Sequence, residues 1–492
     1  MTLRELIVER DVVSVQGDVN VEVSGLSLDS RQVRPGDLFF GLSGLKQDGQ
    51  AFIRQALTAG AVAAVVGEEF KLPGATVVRV DEPRKALAQA SARFFRHPSL
   101  ELRVVGVTGT NGKTTTTLLL ESIFRTAGWT SGVIGTTGVR IAGEARPSAF
   151  TTPEAPELQG LLRQMVDRGV AAAALEVSSH ALVQRRSYGL ECDVVVFTNL
   201  SHDHLDYHGT LEAYLDAKLM LFDGRNRLES VKATSAVLNL DDPAIAKVRA
   251  AARRGGLALR TFGEKEGADV RILSITPGRD GLTVGLAETG GSVSVRVPLL
   301  GRYNAWNAAA AFTAARALGI GADVAARGIA ASPAVPGRLE RVPALRPFDV
   351  VVDYAHTPDA LERALAAAHE HARGRVLLVF GCGGDRDHAK RPLMGRIAAE
   401  HSDLAWVTSD NPRGEDPLAI AREVMAGAPG ARNLRLEPDR RAAIRAALAA
   451  AKPDDFVLIA GKGHETTQTI GASVLPFDDR VVAREILEGG GS

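Results

Sequence analysis

The chain has 492 residues, with 58 basic side chains balanced by 58 acidic ones and 45% hydrophobic residues. That length accommodates about three domains of roughly 150 residues each, and the balanced charge supplies no global field for nucleic acid or an anionic membrane, so charged ligands must be met by local sites. Cys192 and Cys382 lack metal-type spacing, and the N-terminus MTLRELIVERDVV carries charges where a signal peptide needs an apolar core. With no run reaching the roughly 18 apolar residues of a membrane span, a cytoplasmic protein is expected, with no nucleic-acid partner and no membrane insertion.

Residues 21–96 alternate short apolar strands such as LFFGL and AVAAVVG with turn signals and close at His97-Pro98-Ser99, which predicts a small α/β domain over 1–98. The stretch VVGVTGTNGKTTTT, residues 104–117, then sets a glycine-rich loop between an apolar strand and an amphipathic helix. Backbone N–H groups of Gly109, Thr110, Asn111, Gly112 and Lys113 can turn inward on phosphate oxygens, Lys113 adds a point charge, and Thr114 offers a hydroxyl to Mg²⁺. The loop is a variant: Val107 stands where the common phosphate-loop pattern has its first glycine, and the extra glycine is Gly109. The chain is therefore expected to handle a nucleotide.

Strand–helix alternation continues through AAAALEV and DVVVFTN to a helix over 304–318, giving a second domain over 99–334. Glu176 closes AAAALEV, and the turn Ser178-Ser179-His180 is expected to expose it at a crevice as a Mg²⁺ ligand. TNLSHDHLDYH concentrates His202, Asp203, His204, Asp206 and His208 at one strand end; a metal or phosphate role and a polar loop with capping Asp residues are both open for any single His. Without Cys ligands, oxygen-coordinated Mg²⁺ is expected here rather than zinc.

The last third repeats a simpler rhythm. VVVDYAH, VLLVFGCGGDRD, LAWVTSDNPR and DFVLIAGKGHE are apolar strands ending in polar residues, separated by Ala-rich helices such as 359–369, and they read as a doubly wound parallel sheet over 335–492. Ligands on such sheets sit beyond the strand C-termini, so the four polar ends are predicted to converge on one crevice. Gly489-Gly490-Gly491-Ser492 reads as a flexible tail.

TGTNGKTT, LEVSSH, TNLSHDHLDYHG and the lysine of YLDAK resemble the Mur ligase family of ATP-dependent peptidoglycan-precursor synthetases, over essentially the whole chain. The resemblance implies an α/β protein of three domains: an N-terminal UDP-sugar-binding domain, a central ATP-binding domain and a C-terminal Rossmann-like amino-acid-binding domain. It implies amide formation through an acyl phosphate, with Lys113, Glu176, His204 and Lys218 catalytic. Thr114, Glu176, His204 and Lys218 would attend two Mg²⁺ ions, the lysine as a carbamate. ATP would meet Gly109, Thr110, Asn111, Gly112, Lys113, Thr114 and Thr115, with Asn304, Arg338 and Asp353 from later elements; His356 is equally a turn residue before Pro358. The UDP-muramoyl-dipeptide would meet Leu28, Ser30, Thr151, Thr152, Ser178, Gln184 and Arg186. Leu45 and Phe150 depart from the family pattern, which often has His and Asn at those places.

Asp410-Asn411-Pro412-Arg413 resembles the DNPR signature of the branch that adds meso-diaminopimelate. Diaminopimelate carries a distal carboxylate that lysine lacks, so Arg413 can grip it as a fork while a buried Arg penalises lysine. By the same resemblance Arg386 is a second carboxylate binder, Gly461 and Glu465 complete the pocket, and Glu465 receives the distal ammonium. Alone, DNPR also fits a type I turn. The expected protein is a monomer that joins meso-diaminopimelate to UDP-N-acetylmuramoyl-L-alanyl-D-glutamate as its third domain closes on the second. The alternatives are the same ligation with L-lysine, and a nucleotide-dependent binding protein without ligation.

Overall fold

The computed structural model describes residues 1–7, 9–43, 48–228, 232–278, 280–343 and 346–489. Leu45 and the tail residues 490–492 lie outside them. Among the described residues the chain forms three successive α/β units, each built on its own sheet.

The first sheet runs in the spatial order Val12–Gln16, Val77–Val80, Ala63–Val66, Asp37–Phe40 and Gly25–Ser27; only its first pairing is antiparallel. Its central strands are buried along their length, and the helix Pro83–Phe94 covers one face with Leu87, Ala88 and Ala90.

The second sheet has a parallel core in the order Ala258–Gly263, Ser235–Asn239, Val194–Phe197, Arg103–Thr108, Ala172–Glu176 and Ser131–Gly135. Both faces are covered, as a parallel sheet requires. Helices Lys113–Thr126, Asn304–Ala317 and Ala322–Ala330 pack on one face, and Ala155–Asp167, Leu211–Leu219 and Ile245–Arg254 on the other. After Arg103–Thr108 the chain thus turns to one face, and after Val194–Phe197 to the other. These neighbouring strands therefore flank a topological switch point, where a ligand crevice opens. Antiparallel ribbons extend both sides of this core: Gly138–Ile141 with Glu144–Arg146, and Val270–Gly278 with Gly281–Glu288 and Gly291–Val297. Parallel-strand patterning did not anticipate these ribbons, whose strands Glu144–Arg146, Val270–Gly278 and Gly291–Val297 are exposed along much of their length without a clean alternation.

The third sheet runs Glu340–Arg341, Asp349–Asp353, Phe456–Ala460, Val376–Phe380, Leu404–Val407 and Leu434–Leu436, parallel except at its first pairing. Pro358–His371, Lys390–His401 and Pro417–Met425 cover one face; Arg440–Ala450 and Asp479–Leu487 cover the other. The expected doubly wound sheet is present. A hairpin of Thr467–Ile470 and Ser473–Pro476, not foreseen, follows the GKGHE segment.

One ion pair lies wholly inside this unit. Arg440 Nε and Nη2 donate to Asp479 at 2.7 and 2.6 Å, both side chains are 0% exposed, and Nη2 also reaches the Ala460 carbonyl at 3.0 Å. Two helices on one face are thereby tied to a strand end of the ligand side. Removing one partner strands a buried charge, so Asp479→Ala is expected to lower stability by about 3–5 kcal/mol, while Arg440→Met with Asp479→Leu recovers most of it. Urea unfolding of the variants measures both.

Candidate active site

The phosphate loop is shaped by close approaches. A Cβ on Gly109 (φ 150°) would lie 1.9 Å from Thr198 Oγ1, and one on Gly112 (φ 87°) 2.2 Å from Asn307 Oδ1. Only glycine fits at either place. Thr110 N–H donates to the Asn199 carbonyl at 2.8 Å and Asn111 N–H to Asn199 Oδ1 at 2.9 Å. This corrects the expectation that all five loop amides face a ligand, because the neighbouring strand end takes two of them to hold the loop. The helix Lys113–Thr126 starts directly behind, with Thr114 and Thr115 almost fully buried in its first turn.

Two lysines meet at this loop. Lys113 Nζ donates to the carbonyls of Gly109 and Thr110 at 2.9 and 2.8 Å, and Lys218 Nζ donates to the same Gly109 carbonyl at 2.9 Å. Lys218 comes from the last turn of Leu211–Leu219, is 1% exposed, and packs its Nζ 4.1 Å from the Tyr214 ring centre. Burial, then the charge of Lys113, push the Lys218 ammonium well below its ordinary pKa, against the pull of Asp203. Lys113 is lowered by burial, with Glu176 and Asp203 opposing.

Glu176 is 1% exposed, not presented to the crevice as expected. Its carboxylate accepts from Thr136 N–H at 2.8 Å and Thr136 Oγ1–H at 3.1 Å, which turns it back over the adjacent strand end. His204 sits at φ 53° as the cap of Leu205–His208, with Nε2 3.5 Å from Asp203 and its ring edge-on to His180. Desolvation lowers its pKa to about 4, against Asp203. His208 pairs its Nε2 with Ser179 Oγ at 2.9 Å. Among the described residues no three His, Cys, Asp or Glu side chains converge tightly enough to hold a cation alone. The donor chemistry nevertheless fits Mg²⁺, which takes few protein oxygens and completes its shell with water and phosphate: the Glu176 and Asp203 carboxylates act on Lys113, and Thr114 lines the nucleotide-loop cavity, while both lysines spend their own bonds on backbone carbonyls.

A cavity of about 630 Å³ opens on the phosphate loop, lined by Asn111, Gly112, Thr114, Thr115, Arg338 and Asp353 together with Phe262, Trp306 and Asn307. Trp306 Nε1 donates to Asp241 at 2.7 Å, which fixes the indole. Asn304 is absent from this wall. It is 2% exposed, donates to the Leu300 carbonyl at 2.6 Å and accepts from Asn307 Nδ2 at 2.8 Å, so it braces the asparagine one turn on that does face the loop. Asp353 accepts from Leu339 and Ala355 N–H groups at 2.7 and 2.8 Å, anchoring the turn that carries Arg338, and burial raises its pKa against Arg338's pull. Asp359, from the third unit, accepts from Asn111 Nδ2 and Ser201 Oγ at 3.1 and 2.9 Å, joining that unit to the loop.

A second cavity of about 510 Å³ brings Asp203 and His204 of the central unit face to face with His356, Arg386, Asp410, Asn411, Arg413, Gly461 and Glu465 of the third. The predicted convergence of polar strand ends is this cavity. Pro412 is not on its wall; its carbonyl turns toward Gly384, where a Cβ would meet it at 1.8 Å. His356 is fixed by Nδ1 on the Tyr354 carbonyl at 2.7 Å, and burial lowers its pKa. Glu465 is already engaged: it accepts from Asn411 Nδ2 at 2.7 Å and lies 3.3 Å from Lys462 Nζ, a side chain 0% exposed. Lys462 escaped the sequence reading, although its place between two glycines after a strand was the available signal.

The residues expected on the UDP side line neither cavity: Thr151, Thr152, Ser178, Gln184 and Arg186 form one hydrogen-bonded group of the central unit, while Leu28 and Ser30 belong to the first unit. Leu28 is exposed, and Ser30 Oγ donates to Gln55 Oε1 at 3.1 Å. Thr151 Oγ1 lies 3.1 Å from Thr136 Oγ1, linking this group to Glu176. Thr152 Oγ1 donates to the Glu176 carbonyl at 2.9 Å and accepts from Ser178 N–H at 3.1 Å. Arg186 pairs with Glu154 at 3.0 Å and donates to Gln184 Oε1 at 2.6 Å, while Phe150 stacks beneath its guanidinium.

Three family models match the chain: the Mur ligase family catalytic domain over residues 22–95, the Mur ligase middle domain over 107–315, and the Mur ligase glutamate ligase domain over 337–463. A protein of Geobacillus kaustophilus named UDP-N-acetylmuramoyl-L-alanyl-D-glutamate–2,6-diaminopimelate ligase is 44% identical, across 94% of this chain and 95% of its own. A protein of Solibacter usitatus with the same name is 45% identical, across 96% and 94%. A solved structure of a ligase with that name superposes with a TM-score of 0.72 at 34% identity, covering 100% of this chain and 99% of the other.

Gly112→Ala sets a Cβ against Asn307 and forces a side chain into φ 87°. Adenine-nucleotide affinity by calorimetry is expected to fall at least about tenfold, or roughly 1.4 kcal/mol, with the far-UV circular dichroism unchanged.

Proposed function

The chain belongs to the Mur ligase family, and we propose from that premise that it joins meso-2,6-diaminopimelate to the D-glutamate side-chain carboxyl of UDP-N-acetylmuramoyl-L-alanyl-D-glutamate, with ATP cleaved to ADP and phosphate. The observation that carries the reading is the second cavity, where Arg386, Arg413 and the Asn411–Glu465 pair stand across from Asp203 and His204, next to the phosphate loop. In this reading the division at 1–98, 99–334 and 335–492 separates the UDP end, the nucleotide and the incoming amino acid.

The reaction has two steps. The substrate carboxylate attacks the γ-phosphorus, the bond to the bridging oxygen of ADP breaks, and an acyl phosphate forms. The amine of diaminopimelate then attacks the acyl carbon, a C–N bond forms, phosphate leaves with the former carboxylate oxygen, and the amine sheds a proton. No enzyme nucleophile is needed, so this chain's work is to align two anions and offset their repulsion. Lys113 and the free amides of the loop meet the phosphates. Arg338, fixed through Leu339 by Asp353, borders the same cavity as the loop. Arg386 and Arg413 take the distal carboxylate as forks, and Glu465 takes the distal ammonium with its charge partly offset by Lys462. Thr114, Glu176, His204 and Lys218 would hold Mg²⁺, which supplies charge neutralisation along the triphosphate.

Lys218 acts as a carbamate in this reading. Its buried, depressed amine is the neutral nucleophile that carbon dioxide requires; a C–N bond forms, one proton passes to solvent, and a neutral buried amine becomes an anion beside Lys113. A ¹³C carbamate resonance is expected in protein equilibrated with labelled bicarbonate, fading as pH falls and the amine is reprotonated, and missing from Lys218→Ala. Lys218→Ala is expected to lose most turnover and to regain part of it with a small added carboxylate.

Phosphate release with the UDP-dipeptide, ATP and Mg²⁺, run with meso-diaminopimelate or L-lysine and followed by mass spectrometry of the product, tests the reaction. Turnover with diaminopimelate alone is expected; equal turnover with lysine removes the specificity argument, and none with either removes ligation. Arg413→Ala is expected to raise the diaminopimelate KM at least about tenfold with the UDP-substrate KM unchanged.

A further inference from the structure

Beside the second cavity lies an ion pair, buried at its arginine end, that the reaction does not itself use. Arg391, in the first turn of Lys390–His401, has a side chain 0% exposed. It donates to both carboxylate oxygens of Glu415, from Nη2 to Oε1 at 2.8 Å and from Nη1 to Oε2 at 2.9 Å. Nη2 also reaches the Gly383 carbonyl at 3.3 Å, and Nη1 reaches Glu423 at 2.9 Å. The Arg391 guanidinium holds the Glu415 carboxyl down at about 2, so the pair is ionised at any working pH.

The two loops joined by this pair carry the two cavity guanidiniums. Glu415 accepts from Asp385 N–H, directly before Arg386, and its own N–H donates to the Pro412 carbonyl at 3.0 Å, directly before Arg413. Further bonds zip the loops together: Gly384 N–H to the Asn411 carbonyl at 2.9 Å, Gly414 N–H to Asp385 Oδ2 at 3.1 Å, and Arg413 Nη1 to the Gly384 carbonyl at 2.7 Å. Asp385 and Arg413 both sit at φ 52°, a left-handed conformation that non-glycine residues hold only when their surroundings enforce it. Two guanidiniums facing one cavity also repel each other, so their spacing has to be imposed from outside the cavity.

We propose that Arg391 and Glu415 are positioning residues that fix the spacing of Arg386 and Arg413, and thereby select an acceptor amino acid with a distal carboxylate. The proposal rests on reading the second cavity as the acceptor site. Fork-to-carboxylate pairing tolerates misplacement of well under an ångström, whereas among the described residues neither the phosphate loop nor the UDP side bonds to this cross-link, so its loss acts on one substrate and on the choice between acceptors.

Steady-state kinetics of the full chain with all three substrates varied tests this. Glu415→Gln removes the negative charge of the pair and Arg391→Lys its bidentate fork, while each keeps much of the volume and part of the hydrogen bonding. Each is expected to raise the diaminopimelate KM about ten- to hundredfold, to leave the KM of ATP and of the UDP-substrate within about twofold, and to lower the ratio of kcat/KM for diaminopimelate over lysine. On an Arg413→Ala background Glu415→Gln is expected to raise the diaminopimelate KM by a smaller factor than in the unaltered chain, because only the placement of Arg386 is left to lose. An unchanged diaminopimelate KM, a parallel rise for all three substrates, or full additivity with Arg413→Ala overturns the positioning role. If Arg413→Ala alone leaves the diaminopimelate KM unchanged, the reading of the cavity fails instead, and the two failures are separate results of one data set.

Discussion

The Gly109 carbonyl is the point on which the site turns. It accepts from Lys113 and from Lys218, so two ammonium groups are packed around one oxygen at the end of a buried strand. Two like charges in a poorly solvated place cannot both persist at ordinary cost, and the burden falls on the more enclosed Lys218. The remaining features answer this arrangement. Tyr214 offers the face of its ring to Lys218, Glu176 and Asp203 supply opposite charge at a distance, and Thr198 and Asn199 hold the loop so that its carbonyl points inward. Carbamylation of Lys218, as proposed, would put a negative charge in place of its neutral amine and so attract Lys113.

The sheet topology explains why this point lies where two units meet. The switch between Arg103–Thr108 and Val194–Phe197 opens a crevice at their C-terminal ends, and the third sheet presents its own strand C-termini to it. Asp359 on Asn111 and Ser201 gives the third unit a polar hold on the nucleotide loop, while Leu300 and Tyr303 of the central unit pack against the third unit's apolar core. The Arg391–Glu415 pair joins the two loops that bring Arg386 and Arg413 to the second cavity.

Local pattern carried much of this architecture. Apolar runs ending in polar residues identified the parallel strands and their ligand side, and glycines before Lys-Thr identified the phosphate loop, because both signals arise within a dozen residues of chain. The antiparallel ribbons and the hairpin Thr467–Pro476 were not legible in that way, since their alternation is weak and half of each ribbon faces water. Asn304 and Asn307 show the same limit at single-residue scale. Both are buried polar residues of one helix, one turn apart, and only the approach of Gly112 decides which of them meets the loop.

The sequence alone determined the fold class, the family and the chemical character of each strand end, because these follow from residue type and spacing. Tertiary structure alone decided that Glu176 is turned inward onto Thr136, that Lys462 shares Glu465 with Asn411, and that Arg391 is buried under two loops more than twenty residues apart in sequence. The physical reason is that the state of a charged group depends on how much water it loses and on which partners surround it. Those partners come from separate strands and helices, and no spacing along the chain records their distance.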